Sequence, residues 1–185
     1  MKKLCAVTLL ALSTFANMAQ ASNNGFSGFQ WGDTVASVAQ KNNAMQNVPY
    51  ASTGDNKTMT GTPKEGKLGF LGIRADSPYQ YNFFKGELFS ISVTLKMYPN
   101  GKAETVAKAK ADYEEMKEKM AKSLGVNPEL TESADPSKPF FACIYDDKCG
   151  VYGANFTTSD SNITLFMTGS ENGNGNELMV SVNQK

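Results

Sequence analysis

Residues 79–101 read YQYNFFKGELFSISVTLKMYPNG, and the alternation within this stretch determines the predicted fold. Apolar and polar residues alternate on both sides of Lys85-Gly86, a pair typical of a tight hairpin turn. Alternation at period two is typical of a half-buried strand, because successive side chains point to opposite faces of a sheet. The stretch therefore predicts two antiparallel strands, with one face of the sheet buried and the other in contact with water.

A long amphipathic helix is predicted directly after this hairpin. Pro99-Asn100-Gly101 ends the strand, and apolar residues then recur every three or four positions until Gly125 and Pro128 stop the pattern. We expect this helix to span residues 102–124 and to cover the sheet with its apolar side. Further strands are predicted in the second half, over residues 139–145, 149–158, 162–168 and 177–182.

The region before the hairpin is less regular. Asp33 is a candidate N-cap for a short helix over residues 34–41. Residues 44–66 are polar and rich in Thr, Asn, Gly and Pro, which predicts a long loop, or a loop that contains a weak strand. Loops of this length are often functional. A strand is predicted next, over residues 68–73.

Grouped strands with segregated helices are typical of an α+β fold and not of βαβ units. We therefore predict an antiparallel sheet, or sheets, of about seven strands packed by one short N-terminal helix and one long central helix. Two similar halves, each a helix followed by a meander, are compatible with this order, although no residue-level repeat is visible.

The N-terminus has the three parts of a secretory signal peptide. Two lysines precede a mostly apolar, uncharged run over residues 4–15, and Ala19-Gln20-Ala21 is a small-x-small cleavage site. A membrane anchor is the alternative, but the apolar run is too short to span a bilayer. We expect residues 1–21 to be removed, leaving residues 22–185 as a single periplasmic or secreted domain.

Cys143 and Cys149 are the two cysteines that remain after this cleavage. In an oxidising compartment, a closely spaced pair predicts a structural disulfide. The alternatives are a redox-active pair or a metal site. A redox pair is usually C-x-x-C at the start of a helix, and zinc would need two further ligands in a chain that has no histidine.

The composition excludes several classes of function. The chain has 18 basic and 18 acidic residues, so the loss of two lysines with the signal peptide leaves a net charge of −2 and no basic field for nucleic acid. The absence of histidine excludes Ser-His-Asp and Cys-His catalysis. We expect no catalytic residue, no metal and no cofactor. The pair Asp146 and Asp147 leaves a carboxylate- or metal-dependent hydrolase of cell-wall glycans as an alternative.

Aromatic side chains are the candidates for binding a partner protein. Tyr79, Tyr81 and Phe84 lie in one predicted strand, and Tyr50 lies in the long polar segment. Aromatic residues dominate the energetics of interfaces, and they also dominate hydrophobic cores. The period-two spacing favours the core for the strand residues, so both interpretations stay open at this point.

Two short motifs carry a family resemblance. Gly28, Trp31, Gly32 and Thr34 form a G-x-x-W-G-x-[ST] opening, and residues 81–88 form a Y-x-F-x-x-G-x-L hairpin. Together they resemble small exported bacterial proteins, mainly over residues 26–40 and 79–98. The resemblance implies a periplasmic α+β domain without catalytic residues. The second half departs from that pattern, because it lacks a tryptophan on the strand after the long helix.

A looser likeness is to the small helix-plus-sheet accessory domains of outer-membrane assembly machinery, by analogy only. These features favour a non-catalytic binding or accessory protein of the bacterial cell envelope, either an assembly component or an inhibitor. Its partner is then another envelope or secreted protein. A carrier of a small apolar ligand, held in a cavity beside Tyr113 and Met116, is a further alternative to the hydrolase.

Overall fold

The computed structural model describes residues 28–64, 75, 77–145, 149–172 and 174–185, which form three helices and eight strands. The helices are α1 (Val35–Gln40), α2 (Ala103–Leu124) and α3 (Phe140–Tyr145). The strands are β1 (Asn42–Asn47), β2 (Asn56–Pro63), β3 (Tyr79–Phe84), β4 (Glu87–Tyr98), β5 (Glu129–Ala134), β6 (Gly150–Thr157), β7 (Ser161–Thr168) and β8 (Asn176–Gln184). The predicted α+β class is confirmed, with more strands than the sequence predicted.

The eight strands form one antiparallel sheet in the order β1-β2-β3-β4-β8-β7-β6-β5. β4 and β8 pair at its centre, where Val93 lies opposite Val180. A four-stranded meander lies on each side of this junction, and a helix precedes each meander in the chain, α1 before β1–β4 and α2 before β5–β8. The described chain therefore has two halves with the same order of elements, except that α3 interrupts the second.

One face of the sheet, here called the inner face, carries the hydrophobic core. Val38 of α1, Tyr113 of α2 and Phe141 of α3 belong to the same buried cluster as alternate strand residues such as Leu165 and Val180. Burying an aliphatic or aromatic side chain of this size contributes about 1.5–3 kcal/mol. The opposite face of the sheet is here called the outer face.

The predicted loop over residues 44–66 contains β1, β2 and a short 3₁₀ turn, Pro49–Ala51. Both strands are polar, and their hydrogen-bonding partners explain why they form: β1 pairs with β2, and β2 pairs with β3. Gly61 permits the close approach of β1, because an added Cβ there would lie 2.5 Å from Sδ of Met45. The sequence predicted at most one weak strand in this segment, whereas the structure has two.

The start of α1 differs from its prediction by one residue. Thr34 is the N-cap and accepts a hydrogen bond from the amide of Ser37 at 3.2 Å. Asp33 instead accepts hydrogen bonds from the amide of Gln30 and from Lys41. Partial burial alone would raise the pKa of the Asp33 carboxyl, but these donors outweigh it and hold that pKa below its ordinary value.

Residues 139–145 were predicted as a strand, but Phe140–Tyr145 form the helix α3 instead. The amide of Cys143 donates to the carbonyl of Pro139 at 2.9 Å, as a helical turn requires. Phe141 packs against Tyr98 with a centroid distance of 6.1 Å, and Nζ of Lys110 lies 4.4 Å from the Phe140 ring. A short apolar run satisfies both the helical and the strand period, so these tertiary contacts decide its structure.

Cys143 and Cys149 lie at disulfide distance, with Sγ atoms 2.18 Å apart and Cα atoms 4.9 Å apart. Cys143 lies in α3 and Cys149 precedes β6, so the bridge fastens a helix to the start of a strand and does not join the two strands predicted over residues 139–145 and 149–158. The predicted signal peptide, the strand over residues 68–73 and the turn over residues 146–148 lie outside the described residues. In the part of the chain that is described, no helix has the length and apolar character needed to cross a bilayer.

Candidate binding surface

Tyr79 and Tyr81 lie in the core, where a partner has no access to them. They are 3 % and 0 % exposed, respectively. Tyr81 donates its hydroxyl hydrogen to Oδ1 of Asn42 at 3.0 Å, and its ring centroid lies 5.0 Å from that of Phe29. Burial raises the pKa of Tyr81 despite the hydrogen bond to Asn42. The core interpretation therefore applies to both tyrosines, because strand alternation directs them inward.

Tyr50 projects from the 3₁₀ turn between β1 and β2 with 91 % of its surface exposed. Hydrogen bonds hold this turn in place. Ser52 Oγ accepts from the amide of Thr58 at 3.0 Å, and Thr58 Oγ1 donates to the carbonyl of Ala51 at 3.1 Å. Tyr50 is thus displayed on a backbone that is fixed before any partner binds, which lowers the entropic cost of association.

Phe84 ends β3 and is 48 % exposed. The hairpin turn after it has positive φ at both Lys85 (52°) and Gly86 (85°), as in a type I′ turn, which confirms the predicted tight hairpin. The amide of Lys85 donates to the carbonyl of Asp55 at 2.9 Å, so this hairpin is fastened to the connection that carries Tyr50. We refer to Tyr50 and Phe84, with their two connections, as the aromatic end.

The outer face of the sheet consists mainly of neutral polar side chains. Residues that share this face on β2–β8 include no lysine or arginine, and their carboxylates are those of Glu87, Glu129 and Glu177. Among the neutral residues of the face, Thr58, Ser90 and Thr94 are buried, and those at least partly exposed are Thr60, Gln80, Asn82, Ser92, Thr131, Asn155, Asn162, Thr164, Thr168, Ser181 and Asn183. Phe84 lies on this face too, so the aromatic end adjoins it.

Side-chain hydrogen bonds order several positions of the outer face. Thr94 Oγ1 donates to Oε2 of Glu177 at 3.2 Å, and Thr164 Oγ1 donates to Oδ1 of Asn155 at 2.8 Å. Because each bond crosses between adjacent strands, it limits the rotamers of both side chains. The face therefore presents hydroxyl and amide groups in defined positions.

An open cleft of about 500 Å³ lies beside Trp31, where β8 ends and β7 begins. Nε1 of Trp31 donates to Oγ of Ser161 at 3.0 Å, and Asp160 Oδ1 accepts from Thr158 Oγ1 at 3.0 Å. Phe29, two residues earlier, is fully buried, whereas Trp31 is half-buried. The Trp31 indole and the Asp160 carboxylate are thus used in local hydrogen bonds that hold this end of the sheet.

A charged cluster joins α2 to β5. Glu132 Oε1 accepts from the hydroxyl of Tyr113 at 2.8 Å and from Nζ of Lys117 at 2.7 Å. Burial raises the pKa of Tyr113, and the negative charge of Glu132 raises it further. The Tyr113 ring also packs edge-on against Tyr152 at 4.9 Å.

The hydrolase alternative requires a metal site or a pair of carboxylates. Within residues 28–64, 75, 77–145, 149–172 and 174–185, no group of three or more Asp, Glu, Cys or His side chains is arranged to hold a metal ion. Asp146 and Asp147, the carboxylates of the hydrolase alternative, lie outside this part of the chain. Comparisons with protein-family models, with curated proteins and with solved structures found no match to this chain.

Proposed function

We propose that this chain is an exported, non-catalytic accessory protein that binds another protein of the bacterial cell envelope through its aromatic end. The observation that carries the proposal is the display of Tyr50, almost fully exposed, on a hydrogen-bonded turn whose connection is bonded through Asp55 to the hairpin that follows the half-exposed Phe84. Large aromatic side chains at such positions supply much of the binding energy of protein interfaces. The exposure of these two aromatic side chains to water does not stabilise the folded state.

The role as an assembly component or as an inhibitor is part of the same proposal. Both roles need a rigid protruding contact and no chemistry of the chain's own. Rigid aromatics lose little conformational entropy on binding, because they have only two rotatable side-chain bonds. A turn whose backbone is already fixed by Ser52 and Thr58 adds to this advantage.

Co-purification from the native envelope tests the binding site. The tagged full chain is compared with a double variant, Tyr50→Ala with Phe84→Ala. The control is Tyr145→Ala, which removes an aromatic side chain that is 58 % exposed on α3. We expect at least about a tenfold loss of one specific partner with the double variant and unchanged recovery with the control. Equal recovery with all three proteins would contradict the proposal.

Export is tested separately on the purified protein. A periplasmic or secreted location allows the disulfide between Cys143 and Cys149 to persist, because cysteine pairs stay oxidised outside the cytoplasm. Intact-mass and N-terminal analysis should give a chain that begins at Ser22, after the Ala19-Gln20-Ala21 site. A chain that retains Met1 and stays inside the cell would remove export from the proposal.

A further inference from the structure

We infer that the cleft beside Trp31 is a binding site for a saccharide, which it holds without cleaving it. The cleft has a volume of about 500 Å³ and is lined by Gln30, Trp31, Ser159, Asp160, Gln184 and Lys185. This volume falls within the range of about 300–1,000 Å³ that is usual for sites of small ligands. Tyr50 and Phe84 are not among the lining residues, so the site is separate from the aromatic end.

The indole of Trp31 is fixed in place before any ligand binds. Trp31 lies in a turn over residues 30–33, in which the amide of Asp33 donates to the carbonyl of Gln30 at 3.0 Å and Gly32 has a φ of +85°. The one polar atom of the indole, Nε1, donates to Oγ of Ser161 at 3.0 Å. The ring therefore offers a ligand its carbon atoms, on a support whose ordering costs no further entropy.

Polar groups with unused hydrogen-bonding capacity lie around this ring. Within the part of the chain that is described, the carboxamide of Gln184 and the hydroxyl of Ser159 form no hydrogen bond, and both residues are exposed. Oδ1 of Asp160 accepts from Thr158 Oγ1 at 3.0 Å and from Ser161 Oγ at 3.1 Å, which leaves Oδ2 to accept from a ligand. An amide, a hydroxyl and a carboxylate thus supply both donors and acceptors to the cleft.

A saccharide matches this combination of groups. A sugar ring has hydroxyls around its edge and C–H bonds on its faces, so it bonds polar side chains while one face packs on an indole. An apolar ligand does not match, because five of the six lining residues are polar or charged, whereas sites for such ligands are predominantly hydrophobic. The charges of Asp160 and Lys185 oppose each other, which favours a ligand of low net charge.

The surroundings of the cleft argue against a peptide as the ligand. A peptide that adds a strand needs an unpaired sheet edge, but β7 and β8, which border the cleft, are each paired on both sides. A helical peptide needs an apolar groove, and a proline-rich peptide needs a groove lined by aromatic rings. Among the described lining residues, Trp31 is the one aromatic side chain.

The carboxylates of the cleft indicate binding without cleavage. Glycoside hydrolysis usually requires a pair of carboxylates that flank the scissile bond. Asp160 is the one carboxylate side chain among the described residues that line the cleft. Because the cleft is open, it admits one unit of a longer glycan chain.

The fluorescence of Trp31 tests the inference, because the chain has one tryptophan. The purified protein is titrated with N-acetylated chitotetraose, cellotetraose and maltotetraose in turn. We expect a saturable blue shift of the emission with at least one of these tetrasaccharides, with a Kd on the order of 0.1–1 mM. Glycerol, which has hydroxyls but no ring, should give no saturable shift.

A matched pair of double variants locates the site. Ser159→Ala with Gln184→Ala removes two polar groups of the cleft, and Ser133→Ala with Gln46→Ala removes the same two groups from the exposed edge strands β5 and β1. We expect at least about a fivefold weaker Kd for the cleft variant and an unchanged Kd for the control. Thermal melting shows that both are folded, and Gln184→Ala alone replaces the cleft variant if it is not.

The outcomes separate this site from the protein-binding site of the proposed function. The Tyr50→Ala, Phe84→Ala double variant should bind the tetrasaccharide with an unchanged Kd, whether or not it loses a partner protein. No saturable shift with any of the tetrasaccharides, or equal Kd values for the cleft variant and its control, would overturn the inference. Release of shorter saccharides during the titration would overturn binding without cleavage.

Discussion

The hydroxyl of Tyr113 on α2 donates a hydrogen bond to Oε1 of Glu132 on β5, at 2.8 Å. The same carboxylate oxygen accepts from Nζ of Lys117 at 2.7 Å. β5 is an edge strand whose side chains are mostly exposed, so it gains little from hydrophobic burial. This cluster is therefore a specific polar contact between the long helix and the edge of the sheet.

Replacement of Tyr113 by Phe should destabilise the protein. The change keeps the ring against Tyr152 and removes the donor to the Glu132 carboxylate. Hydrogen bonds to charged groups contribute about 1.5–3 kcal/mol, and Lys117 still satisfies the carboxylate, so we expect a loss of about 1.5 kcal/mol in the free energy of unfolding. Urea titration at pH 7 measures it. Tyr145→Phe, on an exposed side chain, should change stability by less than about 0.5 kcal/mol.

Alkaline pH should destabilise the fold through its buried tyrosines. Burial raises the pKa of Tyr113 and of Tyr81, so the folded state keeps both protons at a pH where the unfolded state releases them. The stabilisation is complete below about pH 10 and is lost as pH rises, by about 1.4 kcal/mol per pH unit for each tyrosine.

Urea titrations at pH 9, 10 and 11 measure this dependence. Tyr113→Phe removes one of the buried phenols whose pKa is raised, so the unfolding free energy of this variant should fall less steeply above about pH 10 than that of the parent protein. Identical slopes for the two proteins would show that Tyr113 is not protected from ionisation.

Gly169, directly after β7, has no room for a side chain. A Cβ at this position would lie 1.7 Å from the carbonyl oxygen of Phe141 in α3. Gly169→Ala must displace α3 from the sheet, and we expect a loss of about 3 kcal/mol in the free energy of unfolding. Gly175→Ala is the control: its φ is +73° but it has open space, so the loss should be about 1 kcal/mol. Similar losses for both variants would contradict the steric account.

Loss of the disulfide should cost about 2 kcal/mol of stability, the value expected for a loop this small. The bridge fastens α3 to the start of β6 over a sequence separation of 6. Single variants, Cys143→Ser or Cys149→Ser, should lose the same amount as the double variant, because each removes the one bridge. Two free thiols per chain in the purified, non-reduced protein would contradict the pairing.

Long periodic segments could be predicted from the sequence. The hairpin of β3 and β4, α2, β7 and β8 all carry their own hydrophobic pattern, because each has one side against the core. β1, β2 and β5 were missed in whole or in part, because they are polar and are held by the strands beside them. α3 was assigned to the wrong class, since its six residues are too few to distinguish the two periods.

The candidate site was predictable only in part. Tyr50 was named as an aromatic in the long polar segment, whereas Phe84 was grouped with the strand residues Tyr79 and Tyr81, for which the period-two pattern favoured the core; of these three, only Phe84 is exposed. The neutral outer face was not foreseen. Within β4, the alternate residues Ser90, Ser92 and Thr94 indicated an uncharged polar face. Only the strand order shows that strands with similar residues on that face lie beside β4.

Site-specific photo-cross-linking tests the binding account most directly. A photoreactive phenylalanine analogue replaces Tyr50, or Lys119 on the exposed side of α2, in the full chain expressed in its native cells. We predict one discrete adduct with a different protein from position 50, none from position 119, and loss of the first when Phe84→Ala is added. The same adducts from both positions, or adducts only between copies of this chain, would contradict binding through the aromatic end.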